Sequence, residues 1–229
     1  MRVVLFQPPV FRREAPATAL AKALAVPRIH AGDLIRAHIS RSTELGVRAA
    51  EAIDSGALFP DEIITEIVRD RLHQWAHAGF LLVGHPLSAA RALALDELLG
   101  ELGKPLDSVL HLRLPEEEME RHVRRLAGRR FCREDQSHIF ELSVDHLLID
   151  GFCNVCGGEL HQRGEDNENS IRSRVRSHEA MLEPITQHYA RQDLLVTVDA
   201  VGAPDEIAGR ALTALRDRGP RPCSGRLRA

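Results

Sequence analysis

The sequence predicts an α/β fold built on a doubly wound parallel sheet. Three observations carry this expectation. Short apolar runs rich in Val, Leu and Phe recur at 2–6, 80–83, 108–114 and 194–198. Helix-period runs separate them, and strands alternating with helices make a parallel sheet covered on both faces. The 229 residues, 44% of them hydrophobic, suffice for one large domain or one domain with an insertion. A polar stretch from about 128 to 166 breaks the alternation and holds three of the four cysteines. It is expected to be a small inserted module.

Each element has a local reason. The first strand, "RVVLF", ends at Gln7 and two prolines, and a helix follows from about Pro16 to Leu24. Pro16 suits a first helical turn, where its missing N–H costs nothing. "AGDLIRAHIS" comes next, with Asp33 near its start. In "STELGVRAAEAI" (42–53), Thr43 is the expected N-cap. "PDEIITEIVRDRLHQW" (60–75) is amphipathic, "FLLV" is a buried strand, and a helix spans 88–102. The strand at 108–114 leads into a helix at 115–126, where Pro115 takes the first turn and three glutamates complement the helix dipole. A long helix at 171–191, a strand at 194–198 and a helix at 204–215 follow. The last residues, from 216, carry Pro, Gly and Arg without apolar period and are expected to be a disordered tail.

The formal net charge of −3 gives no electrostatic footprint for nucleic acid or an anionic membrane. No run approaches the ~18 apolar residues needed to span a bilayer. "MRVVLFQPP" has neither the apolar length nor the small-residue site of a signal peptide. A soluble, cytoplasmic protein is expected. In that compartment, clustered cysteines point to metal more than to disulfides. Cys132-x2-Asp135 and Cys153-x2-Cys156 form two short-spaced pairs that can present four ligands to one tetrahedral zinc. His138 is the alternative to Asp135 as fourth ligand, and free thiols on a loop are the alternative to any metal. Zinc with four filled positions is structural.

The order strand, loop, helix, "GDLIR", "SGALFPDE", "GFLLVGHP", "GRRFC…CNVCGGEL" and "QRGEDNENSIRSRV" closely resembles the long-form bacterial adenylate kinases, members of the nucleoside monophosphate kinase family. The resemblance runs from Met1 to about Leu215. It implies a P-loop-NTPase-like core at 1–30, 61–127 and 167–215. It also implies a helical monophosphate-binding insertion at 31–60 and a zinc-knuckle lid at 128–166 that closes over ATP. Many members staple the lid with zinc through three Cys plus Cys or Asp, which supports Asp135. Most long-form relatives are monomers.

Against this pattern the phosphate-binding parts are altered. Arg12, Arg13, Glu14 and Ala15 stand where the resemblance expects Gly-Lys-Gly-Thr. Glycines let consecutive N–H groups curl into an anion nest. The Lys neutralises phosphate, and the Thr hydroxyl holds Mg²⁺. Val10 and Arg12 replace loop glycines and would be strained at φ > 0. Val83 stands for an Asp on the metal-water shell, Leu87 for a monophosphate-gripping Arg, Ala31 for a Thr, and Arg91 for an adenine-reading Gln. Asp33, Arg36, Gly56 and Gly84 keep the pattern of the monophosphate pocket and metal shell. Arg125, Arg129, Arg163 and Arg174 keep that of the lid and hinge, as phosphate clamps or adenine stackers. Surface pairing with "GEDNE" (164–168) is the bland alternative for these four.

The expected catalytic set is therefore Arg13, Arg129, Arg163 and Arg174, and the nucleotide set Arg12, Asp33, Arg36, Gly56, Gly84, Arg91 and Arg125. His30 and His85 are candidates for acid–base work, or ordinary pocket residues. The leading expectation is a protein with the fold and part of the nucleotide cleft but little phosphoryl transfer. It would respond to ATP, AMP or an analogue, or bind a protein partner. Two rivals stand beside it. One is an active kinase or repurposed transferase using Arg12 and Arg13, with Mg²⁺ and ATP. The other is an interaction protein that binds no nucleotide.

Overall fold

The computed structural model describes residues 1–11, 15–55, 60–75 and 78–218. These residues form two compact units. The larger holds Met1–Gln7, most of the chain up to Arg113, and the chain from Met181; the smaller holds Leu114–Ala180 with residues 8–11.

The larger unit is built on five parallel strands: β1 (Arg2–Phe6), β2 (Arg28–His30), β3 (Phe80–Val83), β4 (Ser108–Arg113) and β8 (Leu195–Asp199), in the order β2-β3-β1-β4-β8. β1 is central, with Leu5 opposite both Val83 and Leu110. Val3, Val4, Leu5 and Phe6 are all buried, because a parallel strand covered on both faces needs a continuous apolar run. β2 has only Ile29 buried and was not legible as a strand; pairing with β3 creates it.

Helices flank this sheet. α4 (Asp61–Trp75) and α5 (Ala89–Glu101) bring Ile64, Val68, Leu95 and Leu98 into one cluster with Val4 and Phe6. Leu182, Ile185 and Tyr189, late in α7 (Glu168–Arg191), complete it. α1 (Ala15–Leu24) packs on α8 (Pro204–Asp217). α2 (Ala31–Ser40) and α3 (Glu44–Asp54) make a hairpin with their own cluster, in which Ala49 meets Ile63 and Ile67. Thr43 caps α3 as expected, its Oγ1 accepting from Gly46 N–H at 3.0 Å.

The smaller unit carries α6 (Glu116–Ala127), the first half of α7 and a three-stranded antiparallel sheet. Its strands are β5 (Arg129–Cys132), β6 (Ile139–Glu141) and β7 (Leu160–His161), in the order β6-β5-β7. Its sheet core is small: Cys132, Phe140, Cys153 and Leu160. α7 starts at Glu168, earlier than expected, because Asn167 Oδ1 accepts from Ser170 N–H at 2.9 Å and caps it. α8 runs to Asp217, past the point where the tail was expected to begin. Residues 219–229, with Cys223, lie outside the described residues. No helix among the described residues is long and apolar enough to cross a membrane.

Candidate functional site

The chain leaves β1 through Gln7 and a turn closed by Phe11 N–H donating to Pro8 O at 3.3 Å. Val10 is 1% exposed. The described non-glycine residues with positive φ are Ala25, Ser42 and Asp193, so Val10 is spared the left-handed backbone that its place in the loop pattern implied. The turn buries the isopropyl group without that strain. Arg12, Arg13, Glu14 and Gly56 lie outside the described residues, as does the Ala15 side chain.

At the carboxyl end of β3, Val83 is 3% exposed, in register with Leu5 on one side and His30 on the other. Gly84 follows with φ +75, a conformation glycine adopts freely. The His30 ring lies against it. His85 is 1% exposed, and among the described residues neither ring nitrogen has a hydrogen-bond partner. Burial, reinforced by Arg91 and opposed by Asp61, lowers its pKa to about 4. A ring neutral over so wide a range is poorly matched to proton transfer near neutrality.

Arg91 is tied down. Its Nε donates to Asp61 Oδ1 at 2.6 Å, while Ser88 Oγ donates to Asp61 Oδ2 at 3.3 Å. This pair lines a 680 Å³ cleft beside Thr65 and Arg69. Asp33 and Arg36, one turn apart on α2, pair with each other and are exposed.

In the smaller unit, Arg125 on α6 and Arg129 on β5 converge on one carboxylate, Glu141, which is 8% exposed. Beside them His122 meets Phe11 edge-on, ring centroids 5.3 Å apart. Burial and then the Arg125 charge lower the His122 pKa. The Arg163 guanidinium carbon stands 3.7 Å from the centroid of Phe131, and its Nη2 donates to Gln136 Oε1 at 3.2 Å. Arg174 is exposed on α7. The residue that pairs into 164–168 is Arg172, with Glu168 at 2.8 Å. Nothing in the sequence "IFE" marks the Glu141 carboxylate as one shared by two arginines.

The cysteine knuckle is assembled. The ligand atoms of Cys132, His138, Cys153 and Cys156 all lie within 4.8 Å of one another. Cys132 Sγ and Cys156 Sγ are 3.4 Å apart, and the thiols are free. His138 turns Nδ1 to Cys153 Sγ at 3.5 Å and Nε2 to Asp135 Oδ2 at 3.5 Å. Asp135 thus stands behind His138 rather than within the cluster, and its Oδ1 accepts from Ser137 N–H at 2.8 Å. Val155 N–H points at Cys153 Sγ at 3.4 Å. Gly157 has φ +73, and a Cβ on Gly158 would come within 2.8 Å of Cys132 Sγ. Three thiols and an imidazole, with a carboxylate behind the imidazole, suit a closed zinc site.

A parallel sheet in this order, helices around it and a cysteine-bearing module define the class: a doubly wound α/β protein of the P-loop NTPase type. The family model for adenylate kinase matches residues 6–194. The adenylate kinase of Streptomyces avermitilis is 45% identical over 217 residues, covering 94% of this chain and 97% of its own. That of Streptomyces coelicolor is 44% identical, covering 94% and 99%. That of Acidothermus cellulolyticus is 39% identical, covering 94% and 98%. The chain belongs to the adenylate kinase family.

Proposed function

We propose that this chain binds nucleotide through Arg125, Arg129 and Arg163 but has lost, or nearly lost, the family reaction ATP + AMP to 2 ADP. The observation that carries this reading is Val83. The site expected for a carboxylate on the metal's water shell holds a buried isopropyl group between Leu5 and His30. Phosphoryl transfer rests on positioning and charge neutralisation. Losing one such group costs about 10²–10³ in rate. Arg13, Glu14, Ala15 and Leu87 add further departures in sequence, with Arg12 in a loop position that favours glycine.

The same reading assigns 31–60 to the monophosphate, with Asp33, Arg36, Gly56, Gly84 and Arg91 around it. It assigns 128–166 to a lid, with Arg174 at its hinge. Cys132, His138, Cys153 and Cys156 would hold zinc, with Asp135 orienting His138. Zinc there supplies folding energy and no reaction chemistry. Any turnover would draw on Mg²⁺ with ATP. The protein would act in the cytoplasm as a monomer.

The test pairs calorimetric ATP titration, with and without Mg²⁺, with an assay of ADP formation from ATP and AMP. Stoichiometric ATP binding with turnover at least about 10³-fold below the Streptomyces avermitilis relative is expected. Turnover comparable to that relative, and lost on Arg129→Ala, overturns the loss of activity. No heat at millimolar ATP overturns nucleotide binding.

A further inference from the structure

Arg125 and Arg129 share one buried carboxylate. Arg125 Nε lies 3.5 Å from Glu141 Oε2, and Arg129 Nε and Nη2 lie 3.5 Å from Oε1. Glu141 pairs with Arg129 across the β5–β6 ladder, and its own N–H donates to Asp145 Oδ2 at 2.6 Å. Its backbone is therefore fixed at two places. The contacts are longer than the ~2.7–2.9 Å of a saturated charge-assisted bond. A single carboxylate offsets only one of the two positive charges, and it grips neither guanidinium in the bidentate geometry that would use its donors fully.

We propose that Glu141 is an internal counter-anion that sets how tightly Arg125 and Arg129 take the polyphosphate of a nucleoside triphosphate. This rests on reading both arginines as phosphate-binding residues. Glu141 acts through them and is a positioning residue. Without nucleotide, it keeps two cations together in a place where their mutual repulsion would otherwise part them. With nucleotide, it is a negative charge within a few ångströms of the incoming phosphates and weakens their binding. The carboxylate thus lowers affinity while holding the site in shape.

ATP and inorganic tripolyphosphate are titrated calorimetrically into the full chain and into Glu141→Gln. Both titrations are repeated with Arg125→Ala and Arg129→Ala combined on each background. Glu141→Gln is expected to bind both probes about tenfold more tightly, with the gain abolished once both arginines are gone. If Glu141→Gln binds no more tightly while the unsubstituted chain binds ATP, the inference falls and nucleotide binding stands. If neither protein binds either probe, both fall. A gain that survives loss of both arginines also overturns the inference. Zinc content and a thermal melt confirm folding of each variant. Should Glu141→Gln fail to fold, Glu141→Asp retracts the charge by one methylene and should gain about threefold, the same absence of gain being decisive.

Discussion

His85 shows how one residue's surroundings decide its chemistry. In sequence it is a histidine beside a glycine in a nucleotide-family motif. In the structure it is 1% exposed, with its pKa lowered from 6.5 to about 4. The unfolded chain therefore binds this proton more readily than the native state does. The resulting stability is full above about pH 6.5 and is lost as the pH falls through about 4. At its fullest it amounts to roughly 3 kcal/mol. Urea unfolding of His85→Phe, compared with the unsubstituted chain, should show a correspondingly smaller loss across that interval; equal acid sensitivity would refute the assignment. Gly158 is a second case. A methyl group there would press on Cys132 Sγ at 2.8 Å and on the Glu134 side chain. Glu134 can swing away, whereas the Cys132 thiol cannot move without leaving the cluster. Gly158→Ala should therefore release zinc several-fold faster to a chromophoric chelator.

Among the elements, the α2–α3 corner is the most tightly determined. Thr43 Oγ1 accepts from Gly46 N–H at 3.0 Å and lies 2.9 Å from His38 Nδ1. Thr43→Ala should cost about 1 kcal/mol in denaturant unfolding. Gly46→Ala should cost more, because its Cβ would lie 2.1 Å from the His38 carbonyl oxygen and force the two helices apart. A smaller loss for Gly46→Ala than for Thr43→Ala would contradict this. The turn after β1 departs from the glycine-loop pattern. Reading Val10 against a glycine pattern implied a strained backbone. The observed Pro8–Phe11 turn buries Val10 with no positive φ. The pattern of a glycine loop describes a conformation that this segment does not adopt at Val10.

For the molecule as a whole, the two units should differ in their dependence on metal. The five-stranded unit has a large apolar core. The small sheet's core is the cluster Cys132, Phe140, Cys153 and Leu160, with Phe131 also buried on β5, and so little apolar area leaves its chain entropy to be offset by the proposed zinc. Chelation should raise amide exchange across 129–161 while β1, β3 and β4 stay protected; uniform exposure of both units would argue against separate stabilisation. The sequence by itself determined the alternating α/β order, the N-cap at Thr43, the buried run of β1 and the cysteine spacing. Each of these is written in local period or residue type. Tertiary structure alone decided that Ile29 lies in a strand, that His138 joins the thiols with Asp135 behind it, and that Glu141 stands between Arg125 and Arg129. Those facts depend on groups brought together from separate segments, and no local pattern specifies which of several nearby polar side chains turns inward.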